Sequence, residues 1–307
     1  MPKNKEQKKK EKKPINKKHV IISVSIIASC LVVGGVGGYF IGRLFFPKSQ
    51  SIDYSKLNEK EFEDDQIALM KRYSASKASD YTKDFAPYEL ANIGINKIKE
   101  HDFVSSKTYG KVNAMGVEQT VRASSIKNRN EYFLENISAS SMVQTAKRFY
   151  QKEDKVSTFD GGNVSTNRAD WKENPVSELS LVEHEAKWGK DLSRPLIYII
   201  SSKTAFDTST ATKNEDGYIV RLDLSPKYAV LRYVRQMVEI SPIKDPIFHS
   251  VQLTLSLDKD LNVISSEVEE SYSVVMVVTA ESVAQLKENY TYDVETPIPN
   301  LSQDLEY

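Results

Sequence analysis

Four residues with oxygen-bearing side chains, Asp258, Asp260, Asn262 and Glu269, have the spacing of positions 1, 3, 5 and 12 of a calcium-binding loop. Such loops hold Ca²⁺ through oxygens at those positions and need a glycine at position 6 for a sharp turn. Val263 occupies that position here, and the flanking residues are strand-like in composition. The sequence therefore predicts a polar hairpin tip and no metal site.

His184, between Glu183 and Glu185, is a second candidate for metal or acid–base chemistry. A helical zinc-protease pattern needs another histidine four residues away, and without it a solvated helix face is the simpler interpretation. The chain after Cys30 contains no Gly-x-Ser-x-Gly elbow, phosphate-binding glycine loop or further cysteine. We predict a protein that is not an enzyme and has no cofactor, although a hydrolase with dispersed serines or carboxylates stays open.

Trp171 and Trp188 lie close together in the sequence, in a chain with 16 Tyr and 11 Phe. Aromatic side chains with a polar edge suit an amphipathic groove for lipid, glycan or peptide. The two tryptophans also bracket a short predicted helix, and packing of that helix on a sheet is the simpler explanation. They are therefore candidate groove residues, with helix packing as the alternative.

The elements that would position these residues begin with a linker and a leading helix at 47–86. Pro87 is suited to be the first residue of a helix, and the apolar spacing predicts that this helix continues to about His101. Alternating apolar residues predict strands at 107–125 and 131–138, whereas 140–151 fits a helix or a strand. Further on, the patterns predict helices at 178–188 and 226–238, a strand at 196–201, a hairpin of 248–257 with 263–279, and a last helix at 281–288. This order favours an α+β fold with a curved, largely antiparallel sheet and several short helices.

The predicted arrangement resembles the lipoprotein-carrier-like domains of bacterial envelope proteins. The resemblance rests on the leading helix, the hairpin of 109–112 with 119–121, and the final strands at 253–257 and 267–272. It implies a sheet that partly encloses helices around an apolar cavity. A second resemblance is to single-pass assembly components of type IV secretion systems. Neither supplies a functional residue, and fold alone does not determine function.

Residues 20–42 form an uncharged apolar run of 23 residues, directly after a tail that carries nine lysines. A helix of that length spans roughly 34 Å, enough to cross a hydrocarbon core of about 30 Å. Residues 1–18 carry nine lysines against Glu6 and Glu11, a net charge of +7. Because lysines beside a spanning helix stay in the cytoplasm, we predict a single-pass cell-membrane protein with its amino terminus inside and its C-terminal domain outside.

Cys30 and three glycines leave the nature of this anchor open. Residues 27–30, Ile-Ala-Ser-Cys, resemble a bacterial lipobox, which would make Cys30 a lipidation site; the alternative is a plain apolar residue of an uncleaved helix. Gly34, Gly38 and Gly42 are four residues apart and could form a helix-dimer face, giving a homodimer. Because Cys30 is the only cysteine, the outer domain has no disulfide, which fits a Gram-positive bacterium.

The predicted organisation is a cytoplasmic Lys-rich tail (1–18), a transmembrane helix (19–46), a linker and leading helix (47–86) and an extracytoplasmic α+β domain (87–307). Asn136, Asn163, Asn289 and Asn300 begin Asn-x-Ser/Thr sequences, which we interpret as composition. We expect a non-enzymatic envelope protein that binds an apolar ligand such as a lipid, or an envelope protein partner, and no nucleic acid. The alternative is a structural assembly subunit of a secretion or cell-envelope machine.

Overall fold

The computed structural model describes residues 58–114, 117–139, 144–164, 169–188, 192, 196–240, 244–275 and 279–303. One sheet of twelve strands dominates this part of the chain. The strands are β1 (Phe103–Ala114), β2 (Val117–Asn128), β3 (Glu131–Ala139), β4 (Gln144–Lys152), β5 (Lys155–Val164), β6 (Ala169–Trp171), β7 (Ser177–Ser180), β8 (Thr210–Lys213), β9 (Gly217–Leu224), β10 (Lys244–Asp258), β11 (Val263–Val275) and β12 (Thr279–Tyr292).

The strand order is β6-β5-β4-β3-β2-β1-β12-β11-β10-β9-β8, with β7 paired to β5. Every pairing is antiparallel. The first and last strands are neighbours, with Val104 opposite Tyr292 and Val112 opposite Ala284. The sheet therefore consists of an N-terminal and a C-terminal half, joined by the β1–β12 pairing.

Four α-helices accompany the sheet in the described residues: α1 (Gln66–Ala75), α2 (Pro87–Glu100), α3 (Leu181–Trp188) and α4 (Leu231–Ile240). The predicted helix at 87–101 is confirmed as α2. Pro87 opens it, and the Glu89 carboxylate accepts a hydrogen bond of 2.9 Å from the Ala86 N–H. This contact satisfies a backbone donor next to the helix start, where the helix itself supplies no acceptor.

Helix α2 packs against one face of the sheet, which we call the inner face. Leu90, Ile93 and Ile98 of α2 are buried in the main core together with apolar side chains from β1 and β9 to β12. Successive side chains of a strand point to opposite faces. Val104 and Val112 of β1 belong to this core, whereas Tyr109 lies on the opposite, outer face and is 54% exposed. The inner face therefore carries the main core, and a smaller apolar cluster that includes Ile137, Ala146 and Trp171 lies on the outer face.

The predicted α+β class is wrong. Within the described residues a single antiparallel sheet forms the architecture, and four short helices are attached to it. Residues 140–151 fitted either a helix or a strand, and the structure shows that most of them form the strand β4. The predicted strand at 196–201 is buried but lies outside the strands of the sheet.

The predicted helix at 281–288 is also wrong, because these residues belong to β12. Their Ala, Glu, Gln, Leu and Lys residues have good helix propensity. In the structure, however, Ser282, Ala284 and Leu286 alternate with more exposed residues, and both edges of the strand pair, with β1 and β11. Burial and two neighbouring strands outweigh the weak local preference.

None of the helices in the described ranges is both long enough and apolar enough to cross a membrane. The predicted transmembrane helix at 19–46 lies outside the described residues, as do Cys30, Gly34, Gly38 and Gly42.

Candidate ligand-binding site

A pocket lies on the inner face where β1, β2 and β3 run past the end of α2. Its empty volume is about 420 Å³, which includes space open to solvent. We call it the inner-face pocket, and its lining comprises Ile98, Val104, Ser125, Ile126, Lys127, Tyr132, Phe133, Leu134, Leu192 and Tyr290. Most of these side chains are aliphatic or aromatic, so the walls suit an apolar group.

The pocket is built by the strand register. Ser125 of β2 lies opposite Ser106 of β1 and Leu134 of β3, so one row of inner-face residues crosses three strands. Lys127 lies opposite Val104 and Tyr132 in the next row. Ile98, from the buried side of α2, closes the pocket from above the sheet.

Lys127 ties the sheet to the end of α2. Its Nζ donates hydrogen bonds of 2.6 Å to the carbonyl oxygens of Lys99 and His101. A lysine here satisfies carbonyls that the helix leaves unpaired and is favoured by the helix dipole. Burial lowers the pKa of Lys127, and the nearby Asp102 carboxylate acts in the opposite direction. The cation is therefore committed to the protein's own backbone.

A polar cluster adjoins the pocket on β1, β2 and β12. Ser106 Oγ donates to Glu288 Oε1 at 2.5 Å and lies 2.6 Å from Ser125 Oγ. Tyr290 Oη donates to the second oxygen, Glu288 Oε2, at 2.6 Å. Burial, followed by the Glu288 charge, raises the pKa of Tyr290 well above its usual range. The tyrosine therefore stays protonated and acts as a donor.

Asn136 lies on the inner face of β3, two residues after Leu134. Its row is on the opposite side of Leu134 from the row of Tyr132 and Lys127. Asn136 pairs with Ala123 on β2 and Lys147 on β4, and it is 1% exposed. Among the described residues, neither its Nδ2 nor its Oδ1 has a hydrogen-bond partner. Sequence reasoning treated Asn136 as composition and did not select Ser106, Ser125 or Glu288. Only the strand register brings these polar residues together beside one pocket.

The structure does not bring Trp171 to this pocket. Trp171 lies opposite Gly161 on β5, in the outer-face row of Ala146 and Ile137. Its ring centre is 3.9 Å from the guanidinium carbon of Arg148, which lies in the adjacent row. Trp188 ends α3, and its side chain lies outside the described residues. The groove role of the two tryptophans remains a prediction.

His184 is not on a solvated helix face. It is 3% exposed and packs edge-on against Phe149, with ring centres 5.4 Å apart. The helix begins later than predicted because Ser180 caps it: Ser180 N and Oγ donate to Glu183 Oε2 at 2.9 and 2.8 Å. The ring of His184 thus packs against β4.

The polar hairpin tip at 258–262 is confirmed. Asp258 Oδ1 accepts hydrogen bonds from the N–H groups of Asp260 and Asn262 at 2.9 and 2.8 Å, and Asn262 Nδ2 donates to Asp258 Oδ2. Asp258 thus stabilises the β10–β11 turn. Over the described part of the chain, no group of three or more His, Cys, Asp or Glu residues is arranged to hold a metal ion.

A second depression crosses the outer face of β1, β12 and β11, with an empty volume of about 630 Å³ that includes open solvent. We call it the outer-face groove; it is lined by Tyr109, Gly110, Lys111, Glu267, Val268, Glu269, Gln285, Leu286 and Lys287. Lys287 and Glu267 form an exposed ion pair of 2.6 Å within it. The groove is therefore open to solvent and carries charged side chains.

No protein-family model and no curated protein sequence matches the chain. Among solved structures, a DUF1329 family protein from Desulfovibrio piger is 12% identical over 71% of this chain and 95% of that chain, with a TM-score of 0.26. An N-terminal dehydratase from the difficidin assembly line is 8% identical over 65% of this chain and 82% of that chain, with a TM-score of 0.15. At these TM-scores neither similarity carries a conclusion about function.

Proposed function

We propose that the domain is a non-enzymatic binding module that holds the apolar part of a lipid-like ligand in the inner-face pocket. The observation that carries this proposal is the combination of apolar walls with polar groups on one side of the pocket. Ligand sites are mostly apolar concavities with a few oriented polar groups. The mainly apolar lining and the adjoining Ser106–Glu288–Tyr290 cluster match that description.

Photo-crosslinking from a pocket residue tests this function in the full chain. Tyr132 lines the pocket, and replacing it with the photoreactive p-benzoylphenylalanine changes an aromatic side chain into a larger aromatic one. After irradiation of cells, we expect a covalent adduct of lipid mass at residue 132, identified by mass spectrometry. The matched control places the same group at Tyr109, which is exposed on the outer face. The absence of a lipid adduct at residue 132, or equal adducts at both positions, would refute the proposal.

The alternative function is a structural assembly subunit that binds an envelope protein. The outer-face groove supports it, because an open sheet face with charged side chains and the exposed Tyr109 can accept another protein. In the same experiment this alternative predicts protein adducts from residue 109 and no lipid adduct from residue 132. The two functions therefore give opposite patterns at two tyrosines of one chain.

We further propose that residues 1–46 hold the domain at the outer surface of the cytoplasmic membrane. The Lys-rich tail and the apolar run at 20–42 support this location. Proteinase K added to intact protoplasts should then degrade the domain while a cytoplasmic marker protein survives. A domain that resists the protease until the membrane is broken would place it inside the cell.

A further inference from the structure

The buried amide of Asn136 needs a partner that the described protein residues do not supply. It is 1% exposed, and both of its polar atoms lack hydrogen bonds within the described ranges. Most buried polar side-chain atoms are paired in folded proteins, and leaving one unpaired costs roughly 1–3 kcal/mol. A group that offers both a donor and an acceptor would satisfy this side chain.

Asn136 lies next to the inner-face pocket along β3. It shares the inner face of β3 with Leu134, which lines the pocket, and it is two residues further along the strand. Two residues of a strand span roughly 7 Å. Asn136 is also the diagonal neighbour of Ser125, because Ser125 lies opposite Leu134. Asn136 is 1% exposed and is not one of the lining residues, so the polar end of a ligand in the pocket reaches it only by displacing the side chains that cover it.

The charged groups around this position already have protein partners. Lys127 donates to two carbonyls of the α2 end, and Glu288 accepts from Ser106 and Tyr290. Lys147, opposite Asn136, forms a 2.6 Å ion pair with Asp160. An anionic head group would thus meet the Glu288 carboxylate and cations whose charge is already engaged, whereas an uncharged head group would meet a free amide.

We infer that the ligand of the inner-face pocket is an amphiphile with an uncharged, hydrogen-bonding head group, such as an acylglycerol, and that Asn136 binds that head group. This inference rests on the proposed function. A hydroxyl or ester of the head group would accept from Nδ2, and a hydroxyl would donate to Oδ1. Asn136 thereby becomes the residue that selects for the head group, and the apolar walls hold the acyl chain.

Competition between two deuterated lipids with the same acyl chain tests this role. The full chain with p-benzoylphenylalanine at residue 132, reconstituted in phosphatidylcholine vesicles, is irradiated with equal amounts of monooleoylglycerol and oleate. We expect at least five times more monooleoylglycerol than oleate adduct. In Asn136→Leu, that ratio should fall to about one because the amide is lost, while the oleate adduct stays at its original level.

Asn289→Leu is the matched control, because Asn289 is an exposed asparagine of β12 on the outer face. It should leave the ratio unchanged. An Asn136→Leu chain that keeps the original ratio, or an original chain that prefers oleate, would overturn the role of Asn136 and leave lipid binding in place; this is also the result if only water pairs with the amide. Failure of every lipid to form an adduct at residue 132 would instead refute the proposed function itself.

Discussion

Replacing Arg148 with methionine should lower the free energy of unfolding by about 3–5 kcal/mol, the typical cost of removing one partner of a buried ion pair. Arg148 and Glu135 are both fully buried, and Arg148 Nε donates to Glu135 Oε2 at 2.6 Å. Arg148 Nη1 also donates to the Leu301 carbonyl at 2.7 Å, which holds the C-terminal segment on the outer face. The methionine would leave the Glu135 carboxylate buried without this cation.

The double variant Arg148→Met with Glu135→Leu separates the loss of the pair from the loss of packing. Because it leaves no buried charge, we expect it to recover most of the stability lost in the single variant. Equilibrium urea unfolding of the full chain measures both values. Lys111→Met is the surface control: Lys111 pairs with Glu118 at 2.9 Å with both side chains about half exposed, so the expected change is under about 1 kcal/mol. Equal losses in the single and double variants would show that packing, and not the unpaired charge, dominates.

Raising the pH from 5 to 8 should destabilise the domain by about 3–4 kcal/mol through Glu270 alone. Glu270 is buried on β11, where Tyr198 Oη donates to its Oε2 at 2.5 Å and Tyr233 Oη lies 3.4 Å from its Oε1. Burial raises the pKa of Glu270 from 4.5 to about 8, although the two tyrosine hydrogen bonds act in the opposite direction. Between about pH 4.5 and pH 8, the folded state therefore keeps a proton on Glu270 that the unfolded state has released.

The direction of this pH effect follows from proton binding. Between about pH 4.5 and 8 the folded chain binds more protons than the unfolded chain at this residue, so the free energy of unfolding falls as the pH rises. The contribution is fully present below pH 4.5 and is lost by about pH 8, and each unit of pKa difference corresponds to about 1.4 kcal/mol.

Glu270→Gln isolates this contribution, because glutamine keeps the shape and cannot ionise. Urea unfolding at pH 5 and pH 8 should show a much smaller loss in Glu270→Gln than in the original chain, so that the variant is the more stable protein at pH 8. Glu269→Gln is the neighbouring control, since Glu269 is exposed on the outer face and its variant should follow the original pH dependence. A Glu270→Gln profile parallel to the original would disprove the buried neutral carboxyl.

Local signals predicted those parts of the fold that are stabilised locally. Pro87 sets the start of α2, and the run of Asp and Asn residues at 258–262 supplies the side-chain contacts of its own turn. By contrast, β12 is helix-forming in composition and becomes a strand because β1 and β11 lie on either side of it. A partner far away in sequence leaves no local signal.

The same distinction explains why most of the candidate site was missed. Glu135 and Arg148 are 13 residues apart, and only the β3–β4 register makes them a pair. Asn136 is adjacent to Glu135 in sequence but lies on the other face of β3, where it has no described partner. Residue type alone predicted the two tryptophans as groove residues. The pocket is instead formed by Ser, Leu, Lys and Tyr residues that the strand register brings together.

During synthesis β1 emerges long before β12, although residues 104–112 pair with residues 284–292 in the finished sheet. Until then the N-terminal half has an open strand edge, and open edges can pair with other chains. Pairings this distant in sequence also slow folding, since a large loop must close before they contribute. The nascent chain is therefore most vulnerable to aggregation before β12 emerges. A chain truncated before residue 279 would keep that edge permanently, so the last strand protects the first.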